Sequence, residues 1–415
     1  MQVDIQRGGF RITPIFRLIA VCGPGLLVML ADTDAGNVVT AAQAGAQWGY
    51  RLLPLVLVLS PFLYMLQELT VRLGIYTGRG HGELIRERFG VGCAWLSTAG
   101  LAAATVSTLV TNFTGVAGIG ELYGLPRTLT LPSAGAVLLT VVATGSYRRA
   151  ERMMIVIGLF ELAFFWVAIA ARPHLEVMMK EVVHFPVSKR EFVYLAAAII
   201  GTTFNPWMVF YQQSAIVEKK LQPTDYGLAR CDTATGAALT QLLTGAVLVS
   251  VAATAASSGG PAKLDSVAEI SNALAPILGA KAGRLIFSLG VLGASLVAAI
   301  VSSLALAWGL GEVTGYRHSL EHHPFEAGWF YGVYAACVIA AGALVWLVPD
   351  LVWLNISAQV LNVFLLPLVI AFLVALATEA LPEPIRLRGW YLGLIIGISA
   401  VVCAVGLFGG ITGWF

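Results

Sequence analysis

Charge is scarce in this chain. Asp, Glu, Lys and Arg together supply 12% of its 415 residues, about half the share of a soluble domain. Hydrophobic residues make up 58% and mean hydropathy is +0.82, which excludes an ordinary soluble fold and points to a polytopic membrane protein. Cysteine is also sparse. Cys22, Cys93, Cys231, Cys337 and Cys403 are scattered with no CxxC pair, which excludes a disulfide framework and a zinc site. The first 16 residues carry Arg7 and Arg11 but no small-residue cleavage site, so no removable leader is expected. No Walker motif, nucleophile elbow or zinc signature occurs, and nothing argues for ATP use, hydrolysis or an enzyme.

What is present is a succession of apolar runs. Eleven are long enough to cross a bilayer of about 30 Å: 15–46 (interrupted), 51–72, 91–120, 131–146, 153–172, 192–217 (interrupted), 231–257, 285–310, 327–348, 351–380 and 389–412. With the N-terminus inside, the inner segments hold 16 of the 25 Lys and Arg and the outer segments nine. That bias predicts N-in, C-out. The chain reads as one transmembrane domain in the plasma (inner) membrane of a prokaryote, with lipid around it and no nucleic-acid or obligate protein partner.

Two spans are broken at mid-depth. One reads "GPGLLVMLADTDAGNVVTAAQAGAQWGY" from Gly23, the other "IIGTTFNPWMVFYQQSAIVEKK" from Ile199. Paired interruptions in two halves point to a transporter with inverted repeats and a site near the membrane midplane. Gly36 tolerates unwinding and Pro206 lacks an N–H, so these are the expected hinges. Freed carbonyls and half-helix C-terminal ends favour a cation. Asp34 and Asn37 are three apart and share a face if helical. With Asn205 and the Thr202 backbone carbonyl they form a hard, all-oxygen ligand set. Against this, a buried Asp can merely serve a helix end, and an Asn before Pro often caps a half-helix. Asp32 is expected to point elsewhere.

These residues resemble a known family. "GPG" followed by "DAGN" is similar to the first-helix DPGN motif of the NRAMP divalent-metal transporters. "QAGAQWGY" (43–50), "RLGIYTGRGHGEL" (72–84), the broken sixth span, "SYRRAERM" (146–153) and "AARP" (170–173) continue the register. Beyond residue 220 the likeness rests on "ISAQVLNVFLLPL" (356–368) and the span pattern. The resemblance implies the LeuT-type fold, with two inverted five-helix repeats (about 15–172 and 192–380), an eleventh helix (about 389–412), and helices one and six unwound. It also implies that Gln359 joins the site when the outer gate closes.

The departures from that family carry the substrate expectation. Where NRAMP proteins have methionine-proline-histidine, this chain has Asn205-Pro206-Trp207. An amide oxygen replaces the soft sulfur, and an indole that cannot titrate replaces the histidine. The family's third-helix acids become Asn112 and Gly115, or Thr108 and Thr111 in a gapless register; Glu121 could partly compensate. These departures resemble those of the NRAMP-related magnesium transporters, and the resemblance implies uptake of Mg²⁺, and of Mn²⁺, by alternating access without proton coupling and without a cofactor. A proton-coupled Mn²⁺/Fe²⁺ transporter is the main alternative. An organic-substrate permease and a non-transporting metal sensor are the others. Glu68 is expected to bond a neighbouring helix, Asp232 and Glu312 to act as gate or interface charges, and "RHSLEHH" (317–323) to be a solvated loop. The stretch 105–115 is read as helix packing.

Overall fold

The computed structural model describes residues 23–414 except 144–145, 258–263, 265, 274–279, 318 and 321–324; most of "RHSLEHH" and Cys22 therefore lie outside the described residues. The order is α1 (Pro24–Asp32), α2 (Ala35–Trp48), α3 (Leu53–Thr77), α4 (His81–Leu122), α5 (Arg127–Ala143), α6 (Tyr147–Gly158), a 3₁₀ turn (Leu159–Leu162), α7 (Ala163–Ala170), α8 (Leu175–Glu181), α9 (Arg190–Thr203), α10 (Pro206–Glu218), α11 (Tyr226–Ser257), α12 (Val267–Ala273), α13 (Ala280–Thr314), α14 (Gly328–Leu347), α15 (Leu351–Glu379) and α16 (Gly389–Trp414). Among the described residues nine segments are long and apolar enough to span a membrane, with α5 somewhat shorter. The broken pair α1–α2 completes eleven crossings. At 1.5 Å per residue, α1 and α2 are about 13 and 21 Å long, so neither crosses alone.

The breaks have local causes. α1 stops at Thr33 (ψ 44), Asp34 is extended (ψ 178), and α2 restarts behind it. In the second pair, Pro206 opens α10 at its first turn and Asn205 before it is extended (ψ 131). Proline supplies a preset φ at that position and pushes its predecessor out of the helical region. Gly36 therefore lies inside the first turn of α2 rather than at the break, which corrects the expectation that it is the unwound residue.

The two broken pairs sit at the centre, and most of their residues are buried. α11 packs along both α1 and α2 because glycines let backbones approach: at Gly45 a Cβ would strike the Leu248 carbonyl, and at Gly236 it would meet Met29. Two differences from the expected spans are local. α4 starts ten residues early and turns at Gly90 (φ 86), a conformation glycine adopts freely. The long connection after residue 172 contains the short α8.

The end of the bundle where α1 begins is tied by carboxylates. Asp232 of α11 accepts from the Gly23 and Gly25 N–H groups at 3.1 and 2.8 Å. Glu312 of α13 accepts from Gly82 N–H at 2.8 Å and from the Ser214 hydroxyl at 2.6 Å. Lys219 and Glu151 pair at 2.9 Å, both nearly buried. Glu68 is engaged by Arg72 at 2.7 Å and by the Tyr226 hydroxyl. These are the interface roles expected of Asp232, Glu312 and Glu68. Replacing Gly45 with Val should cost about 1–3 kcal/mol by overpacking and lower the melting temperature in detergent; an unchanged melt would contradict the close α2–α11 approach.

Candidate metal centre

Asp34 is fully placed by the break. As the residue preceding α2, it accepts from the Asn37 backbone N–H at 2.8 Å through Oδ1. Its Oδ2 accepts from the Thr111 hydroxyl and the Asn112 amide, both at 3.3 Å. The Asp34–Asn37 pair is thus cap geometry, not two positions on one helical face. A carboxylate at a helix N-terminus satisfies otherwise stranded N–H groups.

Asn37 points its amide at α11, where its Oδ1 lies 2.8 Å from the Thr244 hydroxyl, while its Nδ2 has no partner among the described residues. Thr244 also donates to the Thr240 carbonyl at 2.9 Å. A hydroxyl has one proton. If it goes to Thr240, the Thr244 oxygen must accept, which calls for the Asn37 nitrogen at that place. Exchanging the isosteric amide ends removes the orphan donor and turns Asn37 Oδ1 into the interior.

On the second break, Asn205 Nδ2 donates to the Thr202 carbonyl at 3.1 Å. Its Oδ1 accepts from Asn362 at 2.6 Å, and the other Asn362 proton reaches Gln359 Oε1 at 3.1 Å. Asn362 therefore holds two of the expected oxygen donors together. It was missed in the sequence, although the signal was there: it stands three residues after Gln359, on the same face of α15. The Gln359 amide nitrogen, which has no partner among the described residues, occupies the space where Gly36 lacks a Cβ, and that same point is 3.0 Å from Asp34 Oδ1. This is the service Gly36 performs, and it joins the two breaks.

Asp32 also corrects the sequence reading. α1 ends at it, so helical spacing does not apply. Its carboxylate is fully buried and faces Asn205, with Oδ1 unpartnered among the described residues and Oδ2 3.5 Å from the Thr240 hydroxyl. Of the positions matched to the family's proton path, the Trp207 indole donates to Thr108 at 3.0 Å. Asn112 bonds Asp34, and Gly115 lets Ala35 pack against α4. Glu121 lies elsewhere, bonded to Arg127 at 2.6 Å with its side chain 44% exposed, and does not replace the acids. A cavity of about 20 Å³, room for roughly one water, touches Gln67, Asn205 and Met208 between otherwise apolar walls.

Asp34, Asn37, Thr202, Asn205 and Gln359 are each 4% exposed or less, so the centre is occluded. Among the described residues no group of three His, Cys, Asp or Glu could hold a metal ion. A cation here would meet amide and carbonyl groups and the carboxylates of Asp34 and Asp32, a hard donor set.

Two broken helices packed together at the centre of an all-α bundle define a LeuT-type membrane fold. The Natural resistance-associated macrophage protein-like (Nramp) model matches residues 25–412, and the chain belongs to that family. It is 30% identical over 311 residues to a divalent metal cation transporter MntH of Ralstonia nicotianae, covering 70% of this chain and 68% of the relative. A Pseudomonas aeruginosa MntH 1 is 29% identical over 322 residues, covering 71% and 69%. In fold it is similar to the Eremococcus coleocola manganese transporter in complex with an aromatic bis-isothiourea substituted compound (TM-score 0.76, 16% identity, 98% of this chain and 88% of that one). It is also similar to MhsT with L-phenylalanine (TM-score 0.61, 13% identity, 94% and 98%).

Asn362→Leu leaves two buried amide oxygens without their donor, which should cost about 1–3 kcal/mol. It should also weaken Mn²⁺ binding on the order of tenfold, as for other partners that orient ligands. Melting and calorimetric titration of purified protein read both effects; unchanged binding would remove Asn362 from the site.

Proposed function

We propose that this chain takes up divalent metal cations by alternating access, with Mg²⁺ as the main substrate, Mn²⁺ as the second, and no coupled proton. As a member of the Nramp family it is a transporter, not an enzyme. What supports the substrate reading is the chemistry of the side chains and carbonyls at the two helix breaks, carboxylate and amide with no thioether at position 205. Asp34 supplies the charge; Asn37, Asn205, Gln359 and the Thr202 carbonyl supply neutral oxygens. Mg²⁺ prefers such donors and keeps part of its water shell. No thioether stands at position 205 to favour softer ions. Met208 lines the small cavity beside Asn205 and serves as a control below.

Absence of coupling is supported by the uncharged groups on the α4 side of Asp34 and at position 207. Thr108, Thr111, Asn112 and Trp207 donate or accept hydrogen bonds there, and none titrates near neutral pH. Coupling is not needed energetically. Two charges moving inward across 100 mV gain about 4.6 kcal/mol. We place the N-terminus inside, the tied end of the bundle at the cytoplasm, and the hinges at Thr33–Asp34 and Phe204–Asn205, with Gly36 and Pro206 beside them. The names of the relatives favour a second reading, proton-coupled manganese uptake.

Proteoliposomes separate the two. With a luminal magnesium dye and a luminal pH dye, Mg²⁺ influx without acidification is expected; Mn²⁺ influx with acidification and no Mg²⁺ entry would establish the second reading. Asp34→Ala should abolish flux of both ions. Asn205→Met should shift preference towards Mn²⁺ or Cd²⁺ on the order of tenfold, about 1.4 kcal/mol, whereas Met208→Leu should not. No shift with Asn205→Met would count against the ligand set.

A further inference from the structure

α15 carries a third buried amide on the face that holds Gln359 and Asn362. Asn355 stands four residues before Gln359 and seven before Asn362, a spacing that keeps all three on one side of the helix. Its side chain is 0% exposed. The start of α15 is fixed just before it, where Asp350 Oδ1 accepts from the Trp353 N–H at 2.9 Å. That cap sets the helix from its first turn.

Each of these amides meets a different element. Asn362 reaches Asn205 at the second break, and Gln359 lies in the notch at Gly36 behind the first. Asn355 reaches α4, where its Nδ2 donates to the Thr114 hydroxyl at 2.9 Å and to the Thr111 carbonyl at 3.3 Å. Proton counting fixes this orientation. A carbonyl only accepts, and Thr114 spends its one proton on that same carbonyl at 2.6 Å. The nitrogen must therefore face α4, which leaves Asn355 Oδ1 without a donor among the described residues. An idle buried acceptor is unfavourable; the two bonds to α4 offset it. Nearer the membrane interior, the Ser107 hydroxyl continues the seam by donating to the Ala358 carbonyl at 2.7 Å. Thr111 is met from two sides: its carbonyl takes Asn355, and its hydroxyl stands 3.3 Å from Asp34 Oδ2.

We infer that Asn355 is a positioning residue of the metal centre, which docks α15 on α4 in the register that places the Gln359 amide beside Gly36 and Asp34. The inference rests on the reading of Asp34 and Gln359 as metal ligands. Asn355 acts through Gln359 and is not itself a ligand. Its anchor is the α4 turn that also touches the carboxylate, so the two sides of the centre share one reference point. The notch at Gly36 is only as wide as a missing Cβ, and a small slide or rotation of α15 takes the amide out of it. An apolar side chain at 355 removes both bonds and frees that slide.

A double-mutant cycle on the purified full chain tests this, read by calorimetric titration with Mn²⁺. Asn355→Leu and Gln359→Leu should each weaken binding on the order of tenfold, the scale for residues that orient ligands. The double variant should bind no more than about twofold more weakly than Gln359→Leu alone, because a positioning residue has nothing left to position. In proteoliposomes Asn355→Leu should raise the KM for Mn²⁺ on the order of tenfold while Vmax stays within about twofold. Losses that multiply in the double variant, or full affinity in Asn355→Leu, overturn the proposal. So does a fall in Vmax at unaltered KM, which would make Asn355 part of the moving gate alone. Failure of the wild type to bind Mn²⁺ would instead defeat the metal-centre reading itself. Should Asn355→Leu not fold, Thr114→Val removes the hydroxyl that Asn355 uses while keeping its bulk, and it should show the same non-additivity with Gln359→Leu; independent losses there refute the role of Asn355.

Discussion

A helix cannot simply stop inside hydrocarbon. Its last carbonyls and first N–H groups need partners, because water is not there to supply them. Both breaks in this protein are answers to that requirement, and the answers differ. At the first, a carboxylate takes the N–H of Asn37 and, with its other oxygen, the Thr111 and Asn112 side chains. At the second, no side chain caps α10; Pro206 removes one donor, and Asn205 turns back to the Thr202 carbonyl. One break thus contributes negative charge and the other neutral oxygens. The centre has its polarity because the backbone had to be satisfied there.

The same device recurs at the tied end of the bundle. Asp232 serves the start of α1 and Glu312 the start of α4, each reaching across from another span. Asp34 is different, since it caps its own helix. A local cap moves with its element, while the long-range ones must break before α1 can swing away from α11. The occluded centre and the tied end are consistent with one another: nothing at the end where α1 begins is released while Asp232 holds Gly23 and Gly25.

Neighbouring polar side chains settle how the oxygens are presented. Asn362 fixes the amide oxygens of Asn205 and Gln359 with its two protons. Thr244, with a single proton to share between Asn37 and the Thr240 carbonyl, couples the orientation of the Asn37 amide to its own. Gly36 contributes an absence, the missing Cβ that admits Gln359. Each is a small steric or proton-counting fact, and together they turn two helix breaks into one centre.

The membrane class, the two broken spans and their central residues were legible in the sequence, because scarce charge, long apolar runs and a proline or aspartate at mid-span each have a local physical cause. Asp34, Asn37 and Asn205 could be placed at the breaks from their chemistry and from motif, and Gln359 beside Gly36. The fine geometry could not. Helical spacing set Asp32 aside and put Asp34 and Asn37 on one face, yet the helix ends between them. Asn362 looked like one more residue of an apolar span, yet its partner Asn205 comes from the second break, distant in sequence. What one chain segment determines is which backbone groups will be left without partners; which side chains arrive to meet them is decided only when the helices pack.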